Sequence, residues 1–321
     1  MIPMKTFVKK ALPILIATVV FVLCVRYVFR TFQWSEIVFI LRNAELAWLL
    51  GAGSGAIVLF WLLRTLRWWV LLEALGVRIG FLELYYGTAL SLTLSTVTPL
   101  QSGEILKIEL LKKDGRMERS AGYGYFLLER ALDVVAIVVI TVAGAAYRLY
   151  LDLDQASFWI VIAGLMALAV LTLRFFGKIP MRFATAEIWK QLSLQTYNVG
   201  TILVATVLTL CSWIAVAIGW QVCLLSISLS PGLEEILFMA AALSIINVLS
   251  FIPGGIGIFE AGAATFMLAF GEAEALAQTG AIILRFQLIL VLALGALHYA
   301  VREVRTRKAA RGRLGTPGRS D

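Results

Sequence analysis

Six apolar runs punctuate the chain, near residues 11–29, 46–63, 120–146, 158–173, 199–226 and 276–300. A helix needs about 20 such residues to cross the hydrocarbon core of a bilayer. Backbone N–H and C=O groups find no water at that depth, so each segment must satisfy its own hydrogen bonds, which the helix does. Composition agrees: 60% of the 321 residues are apolar and 15% charged, against about 45–50% and about 25% in soluble domains. A chain of this length cannot enclose so much apolar surface in a single water-soluble core, which excludes a soluble enzyme. The fold class expected is an all-α polytopic membrane protein. The first run follows Lys5, Lys9 and Lys10 as a signal peptide would, but Arg26-Tyr27 is not a small-residue cleavage site, so it reads as an uncleaved anchor.

Orientation follows from the basic residues, because Lys and Arg are retained on the cytoplasmic side. With the N-terminus inside, the inner segments hold 21 of the 28 Lys and Arg residues, counting Arg64, Arg67 and Arg78 with one inner loop. The outer segments hold only Arg30, Arg42 and Arg148, and acidic residues such as Asp152, Asp154, Glu272 and Glu274 fall there. Both termini are therefore expected inside, with residues 302–321 forming a basic cytoplasmic tail that touches anionic lipid rather than nucleic acid.

That orientation requires two further apolar stretches, 81–111 and 236–270, to enter the membrane and return on the same side. Each is interrupted at its middle, by Pro99 and Gly103 in one and by Pro253, Gly254, Gly255 and Gly257 in the other. Proline removes a donor and glycine accepts unusual dihedrals, so these are expected tips of re-entrant helical hairpins. The two regions also match in detail. A glycine follows each proline by four positions, a carboxylate comes next (Glu104, Glu260), and an arginine follows on the next spanning helix (Arg130, Arg285). One hairpin enters from inside and the other from outside, so residues 46–146 and 199–300 read as an inverted internal repeat within one transmembrane domain, residues 1–301. Paired broken segments in corresponding halves point to a transporter site near the midplane.

Charged side chains at membrane depth cost about 2.5–3.5 kcal/mol each on insertion scales and so mark candidate sites. Here they are Glu104, Glu129, Arg130, Asp133, Glu260 and Arg285. Glu129 and Asp133 share a helix face, with Arg130 about 100° round. Four carboxylates against two guanidiniums leave an acidic excess that Lys107 would only reduce. An excess of that sign calls for a cation, a proton or an amine-bearing headgroup. The arginines and the hairpin tips suit a phosphate, and Arg130 with Glu104, or Arg285 with Glu260, would serve equally as braces or as ligands.

Other motifs add little chemistry. Cys24, Cys211 and Cys223 show no metal-ligand or disulfide spacing, His298 is the sole histidine, and no phosphate loop is present, so no metal, cofactor or ATPase is expected. The G-x-x-x-G match at Gly51–Gly55 reads as close packing inside the bundle. Trp68-Trp69 and Tyr85-Tyr86 read as inner interfacial markers, Trp34 and Trp48 as outer ones.

The stretch from Pro99 to Asp133, with P-x3-G-E and Leu128-Glu129-Arg130-Ala131-Leu132-Asp133, and the segment Phe251–Glu260 resemble the lysylphosphatidylglycerol-synthase transmembrane-region family. This is the flippase-like domain also found in the bacterial multiple peptide resistance factor. The resemblance covers roughly residues 10 to 305 and implies a bacterial inner-membrane protein that moves lipid. In larger relatives a cytoplasmic aminoacyl-transfer domain follows; this chain ends about twenty residues after its last span, so lipid synthesis is not expected. Where relatives often carry an arginine in the first tip, this chain has Leu100-Gln101-Ser102.

The expected function is a lipid flippase or translocator moving a phospholipid, aminoacylated lipid or lipid-linked glycan intermediate between leaflets. It is read as a non-enzyme, with membrane lipid as substrate and a homo-oligomer or a separate lipid-synthesising enzyme as possible partner. The alternatives are a secondary transporter of a small amine or ion and, behind it, a lipid-modifying enzyme.

Overall fold

The computed structural model describes residues 19, 22–74, 76–113, 119–149, 198–250 and 253–314. The expected span at 158–173, the first part of the span at 11–29 and Phe251-Ile252 lie outside the described residues. Within them every regular element is helical. They are α1 (22–31), α2 (Trp34–Arg42), α3 (Ala47–Glu73), α4 (Phe81–Ser95), α5 (Leu106–Lys113), α6 (Arg119–Leu149), α7 (Val199–Leu225), α8 (Leu233–Ser250), α9 (Ile258–Ala269) and α10 (Glu274–Leu314). Short 3-10 turns, Pro99–Ile105 and Pro253–Gly255, join α4 to α5 and α8 to α9.

Three of these helices, α3, α7 and α10 up to Arg305, are long and apolar enough to cross a membrane. At 1.5 Å per residue each exceeds the roughly 30 Å hydrocarbon core. Helix α6 has 31 residues and thus the length, about 46 Å. What sets it apart is the charge at Glu129, Arg130 and Asp133. Its outer face stays apolar, with Leu127, Val134, Val138 and Val142 exposed at helical spacing. Val199, Leu203, Val204 and Val207 on α7 are likewise exposed. A bundle clad in apolar side chains belongs in lipid, and the protein is an all-α, multi-pass membrane protein.

Helices α3 and α7 pack along their length. A Cβ on Gly53 would lie 2.9 Å from Cys223 Sγ, a Cβ on Gly219 would lie 3.1 Å from Ala56 Cβ, and Arg67 Nη1 donates to Thr209 Oγ1 at 3.0 Å. The rising numbers on one helix meet falling numbers on the other, so the two run antiparallel. Small residues let the backbones approach, here at Gly53 and Gly219; Gly51 and Gly55, the two glycines of the G-x-x-x-G match, instead meet open space, so the close packing expected of the match falls on the glycine between them.

The remaining helices pack reciprocally. On α6, Gly122 faces Ile108 of α5, and Gly144 receives Phe238 of α8. On α10, Gly280 receives Met267 of α9, and Gly295 faces Thr93 of α4. Each long helix thus takes the second arm of the broken segment before it and the first arm of the other one.

The breaks have local causes. Thr98 precedes a proline and sits in extended conformation (φ −98°, ψ 140°), as the proline ring demands. Its hydroxyl donates to Leu94 O (3.0 Å) and accepts from the Gly103 N–H (2.8 Å), pinning the turn back on α4. A Cβ on Gly103 would stand 2.5 Å from backbone atoms of Leu94 and Ser95. The second break runs through positive φ at Gly254, Gly255 and Gly257, conformations that side chains resist. Gly257 also lies against Cys24 of α1, and Gly254 lies against the Thr96 carbonyl beside the first break. The two breaks therefore touch each other inside the bundle.

Substituting Gly103→Ala is expected to lower stability by about 1–3 kcal/mol, because backbone must move to admit the methyl. Gly55→Ala, which meets open space, should leave the midpoint of thermal unfolding in detergent unchanged or slightly higher.

Candidate functional site

Helices α3 and α6 bring most of the charge. Arg64 and Arg67, three residues apart on α3, project from one face, and Glu129 and Asp133 share a face of α6. Asp133 is the hub. Arg64 Nη1 donates to both its oxygens at 2.6 Å, Arg67 Nη1 reaches it at 2.8 Å, and Arg130 Nη2 lies 2.8 Å away. Glu129 Oε1 accepts from Arg67 Nε (3.2 Å) and Nη2 (3.1 Å), while Glu129 Oε2 pairs with Lys107.

The first break supplies the remainder. Glu104 accepts from Arg130 Nη2 at 2.9 Å and lies 3.6 Å from Lys107 Nζ, one turn further on. The Lys107 ammonium sits 4.4 Å from the centre of the Trp68 ring, a cation–π contact that holds it inward. Thr209 of α7 accepts from Arg67 while donating to the Ala205 carbonyl at 2.8 Å.

These side chains are buried. Arg67 and Glu129 are 1% exposed, Glu104, Lys107 and Asp133 no more than 4%, and Arg64 7%. At such depth an unmatched charge is prohibitive, and removing one member of a buried pair costs several kcal/mol. The balance among the described residues is four cations (Arg64, Arg67, Lys107, Arg130) against three anions (Glu104, Glu129, Asp133), a net charge of +1. This reverses the acidic excess inferred from sequence, where Arg64 and Arg67 were assigned to an inner loop. Both stand well inside α3, flanked by Leu62, Leu63, Leu66 and Trp68. The apolar residues beyond them were the available signal, and ending the run at the first charge obscured it.

Arg285 and Glu260 form a separate pair at the second break. Arg285 Nε donates to Glu260 Oε1 at 2.6 Å, Nη1 to the Gly254 carbonyl at 2.6 Å and Nη2 to the Gly255 carbonyl at 3.3 Å. Glu260 Oε2 accepts the Gly257 N–H at 2.7 Å. The arginine thereby closes the carbonyls of a glycine turn and the carboxylate caps the following helix. Glu104 with Arg130 and Glu260 with Arg285 are thus joined as the sequence pattern suggested, but only the first pair sits in a larger network.

A cavity of about 400 Å³ opens beside that network. Arg64, Arg130, Glu104 and Asp133 line its charged side, and Trp61, Trp213, Trp220 and Val291 are among its apolar walls. The Arg130 side chain is 25% exposed, whereas Arg67, Lys107 and Glu129 lie behind the lining. The hydroxyls that face the cavity, Ser95, Thr96 and Ser244, donate to carbonyls of their own segments at 2.6–2.7 Å.

Two aromatic expectations change. Trp68 is fully buried against Lys107 and Tyr125 rather than interfacial. Tyr85 is buried too, its hydroxyl 2.9 Å from His298 Nε2. His298 Nδ1 lies 2.7 Å from the Leu294 carbonyl. A carbonyl only accepts, so Nδ1 carries the proton and, in the neutral ring, Nε2 accepts from Tyr85. The histidine is a packing group whose two nitrogens are both engaged. Trp34 and Trp48 are exposed, as interfacial residues would be.

Chemically, the arrangement is a set of mutually paired buried charges, four of which also line the cavity. Three carboxylates each face cations, and among the described residues no group of three His, Cys, Asp or Glu is arranged to hold a metal. The family model described as lysylphosphatidylglycerol synthase TM region matches residues 14–295, which include the whole network and both breaks. No curated protein matches the chain.

Asp133→Ala should cost about 3–5 kcal/mol, since it leaves guanidiniums buried without their carboxylate. Combining it with Arg64→Ala should cost less than the sum of the single changes. Denaturant or thermal unfolding of the four proteins of this cycle gives the coupling directly.

Proposed function

The chain belongs to the lysylphosphatidylglycerol synthase TM-region family, and from that premise we propose that it is a translocator of membrane lipid rather than an enzyme. One observation carries this reading: a charge-lined cavity lies within an apolar-clad bundle. A lipid crossing the bilayer must carry its polar headgroup through hydrocarbon, and preformed charges inside the protein replace the water it leaves behind. The headgroup would enter between α3, α4, α6 and α7 while the acyl chains stay in the bilayer.

The architecture offers a route for alternating exposure. We read residues 46–146 and 199–300 as inverted halves, each a spanning helix, a re-entrant broken hairpin and a long helix. The antiparallel α3–α7 pair and the reciprocal packing of α4 on α10 and of α8 on α6 support this. Such halves rock about a site between them. On this reading Arg130 and Glu104 are ligands as well as a brace, whereas Arg285 and Glu260 hold the second tip. Both termini lie in the cytoplasm of a bacterial cell, with the basic end of α10 against anionic lipid.

The test is reconstitution in liposomes carrying a labelled phospholipid, with dithionite bleaching to count the label remaining in the inner leaflet. Wild type should accelerate exchange between leaflets, and Arg130→Ala should slow it at least tenfold. Absence of lipid movement would overturn the reading. Single cysteines placed at Ser102 and Ile256 supply a second arm. They should label from opposite compartments, and labelling of both from one side would remove the inverted halves.

A further inference from the structure

Buried glutamines are used in two ways in this bundle. Gln278 of α10 is committed to structure. Its Oε1 accepts the Gln33 N–H at 2.7 Å, and its Nε2 donates to Glu274 Oε1 at 3.0 Å and to the Thr31 carbonyl at 3.3 Å. Gln221 of α7 donates to the Pro231 carbonyl at 3.1 Å. Gln287, further along α10, is 8% exposed and lines the cavity, yet among the described residues no hydrogen bond engages its amide. A buried amide without partners is unfavourable, so one that faces a cavity marks a place for a ligand.

The amide has a built position. A Cβ on Gly219 of α7 would lie 2.9 Å from Gln287 Nε2 and 3.1 Å from Ala56 Cβ of α3, so any larger residue there would displace the amide from the junction of the three helices. Ala56, Ile57, Val216 and Val291, each within about a turn of these positions, also line the cavity and have no polar side-chain atom. The charged side of the lining stands roughly 12 Å away, the rise of α3 from Ala56 to Arg64. The cavity thus has a charged end and an apolar end that carries one free amide, the pattern of a pocket whose few polar groups orient what it binds.

We propose that Gln287 reads the hydroxyls of a polyol headgroup, glycerol or sugar, at the apolar end of the cavity. A glutamine amide accepts through Oε1 and donates through Nε2. A hydroxyl answers both needs, donating its hydrogen and accepting on its lone pairs, and two neighbouring hydroxyls reach both amide atoms at once. An ammonium has donors only and leaves Nε2 without an acceptor; a trimethylammonium supplies neither. A site that aims a buried polar group at a hydroxyl rejects the analogue lacking it. The selection rests on the amide and not on the charges at the other end. The lipid-translocation reading enters only as the source of the polyol.

The experiment compares two short-chain lipids of equal charge, phosphatidylglycerol and phosphatidylpropanol, which differ only in the two headgroup hydroxyls. Each is titrated into the purified full chain, in a neutral detergent without sugar groups and a buffer without glycerol, and thermal unfolding is followed. Phosphatidylglycerol should raise the midpoint with about tenfold higher apparent affinity, the scale of two ordinary hydrogen bonds. Gln287→Met keeps the side-chain length and removes the amide. Without lipid its midpoint should equal or exceed that of wild type, because no partner within the protein is lost. Phosphatidylglycerol should then bind it no better than phosphatidylpropanol does. Soluble glycerophosphoglycerol is the third titrant.

A preference for phosphatidylglycerol that Gln287→Met abolishes supports the polyol site, with a membrane source where the soluble diester binds more weakly than the lipid and a soluble source where it binds as well. Equal response of wild type to the two lipids, or a Gln287→Met protein that keeps the preference, overturns the proposal. A marked fall in the lipid-free midpoint of Gln287→Met would assign the amide to structure and overturn it too. Leaflet exchange reports separately on translocation. A protein that moves no lipid but prefers phosphatidylglycerol through Gln287 supports the polyol site and overturns the transport reading alone; equal binding of the two lipids with active exchange does the reverse.

Discussion

Everything in this bundle is organised around a carboxylate that cannot be left alone. Asp133 lies deep in an environment where an unpaired charge would cost many kcal/mol, and three guanidiniums from two helices converge on it. Those arginines in turn require Glu129 and Glu104, and Glu129 requires Lys107. The result ties α3, α5, α6 and the first break into one unit. Ion pairs of this kind are poor sources of net stability compared with apolar packing of equal volume. Their presence on an element that would otherwise be a plain spanning helix is better explained by a use for the charge.

The breaks are the second constraint. Irregular backbone within a membrane protein must be enclosed by protein or by a wet cavity, and each break here meets that condition differently. The first is held by Thr98 and by the close approach of Gly103 to α4. The second is held by Arg285, which closes two carbonyls of the glycine turn, and by Glu260, which caps the following helix. One arginine-carboxylate motif thus appears twice, once as a local brace and once extended into a network that lines a cavity. That divergence makes the two breaks chemically unequal although the helices around them pack reciprocally.

Among the described residues four cations face three carboxylates in this network, whereas the acidic excess expected from sequence set four carboxylates against two guanidiniums. The difference comes from Arg64 and Arg67. Counted as loop residues they serve orientation; packed against Asp133 and Glu129 they set the sign of the site.

Much was legible in the residues alone. Apolar length located α3, α6, α7 and α10, and the proline and glycine clusters located both breaks, because transfer of a segment into hydrocarbon and the dihedral limits of Pro and Gly are local properties. The pairing of Glu104 with Arg130 and of Glu260 with Arg285 was legible too, since a carboxylate and an arginine in matching positions of two similar segments imply matching contacts. What only the tertiary structure decided is the membership of the network, the burial of Trp68 and Tyr85, and the cavity with Arg64 and Trp213 on its wall. Those depend on which helix faces which across more than sixty residues of chain, as between Arg67 and Glu129. A charge near the end of an apolar run carries the same local signature whether it meets water or a carboxylate from another helix, and packing alone distinguishes the two.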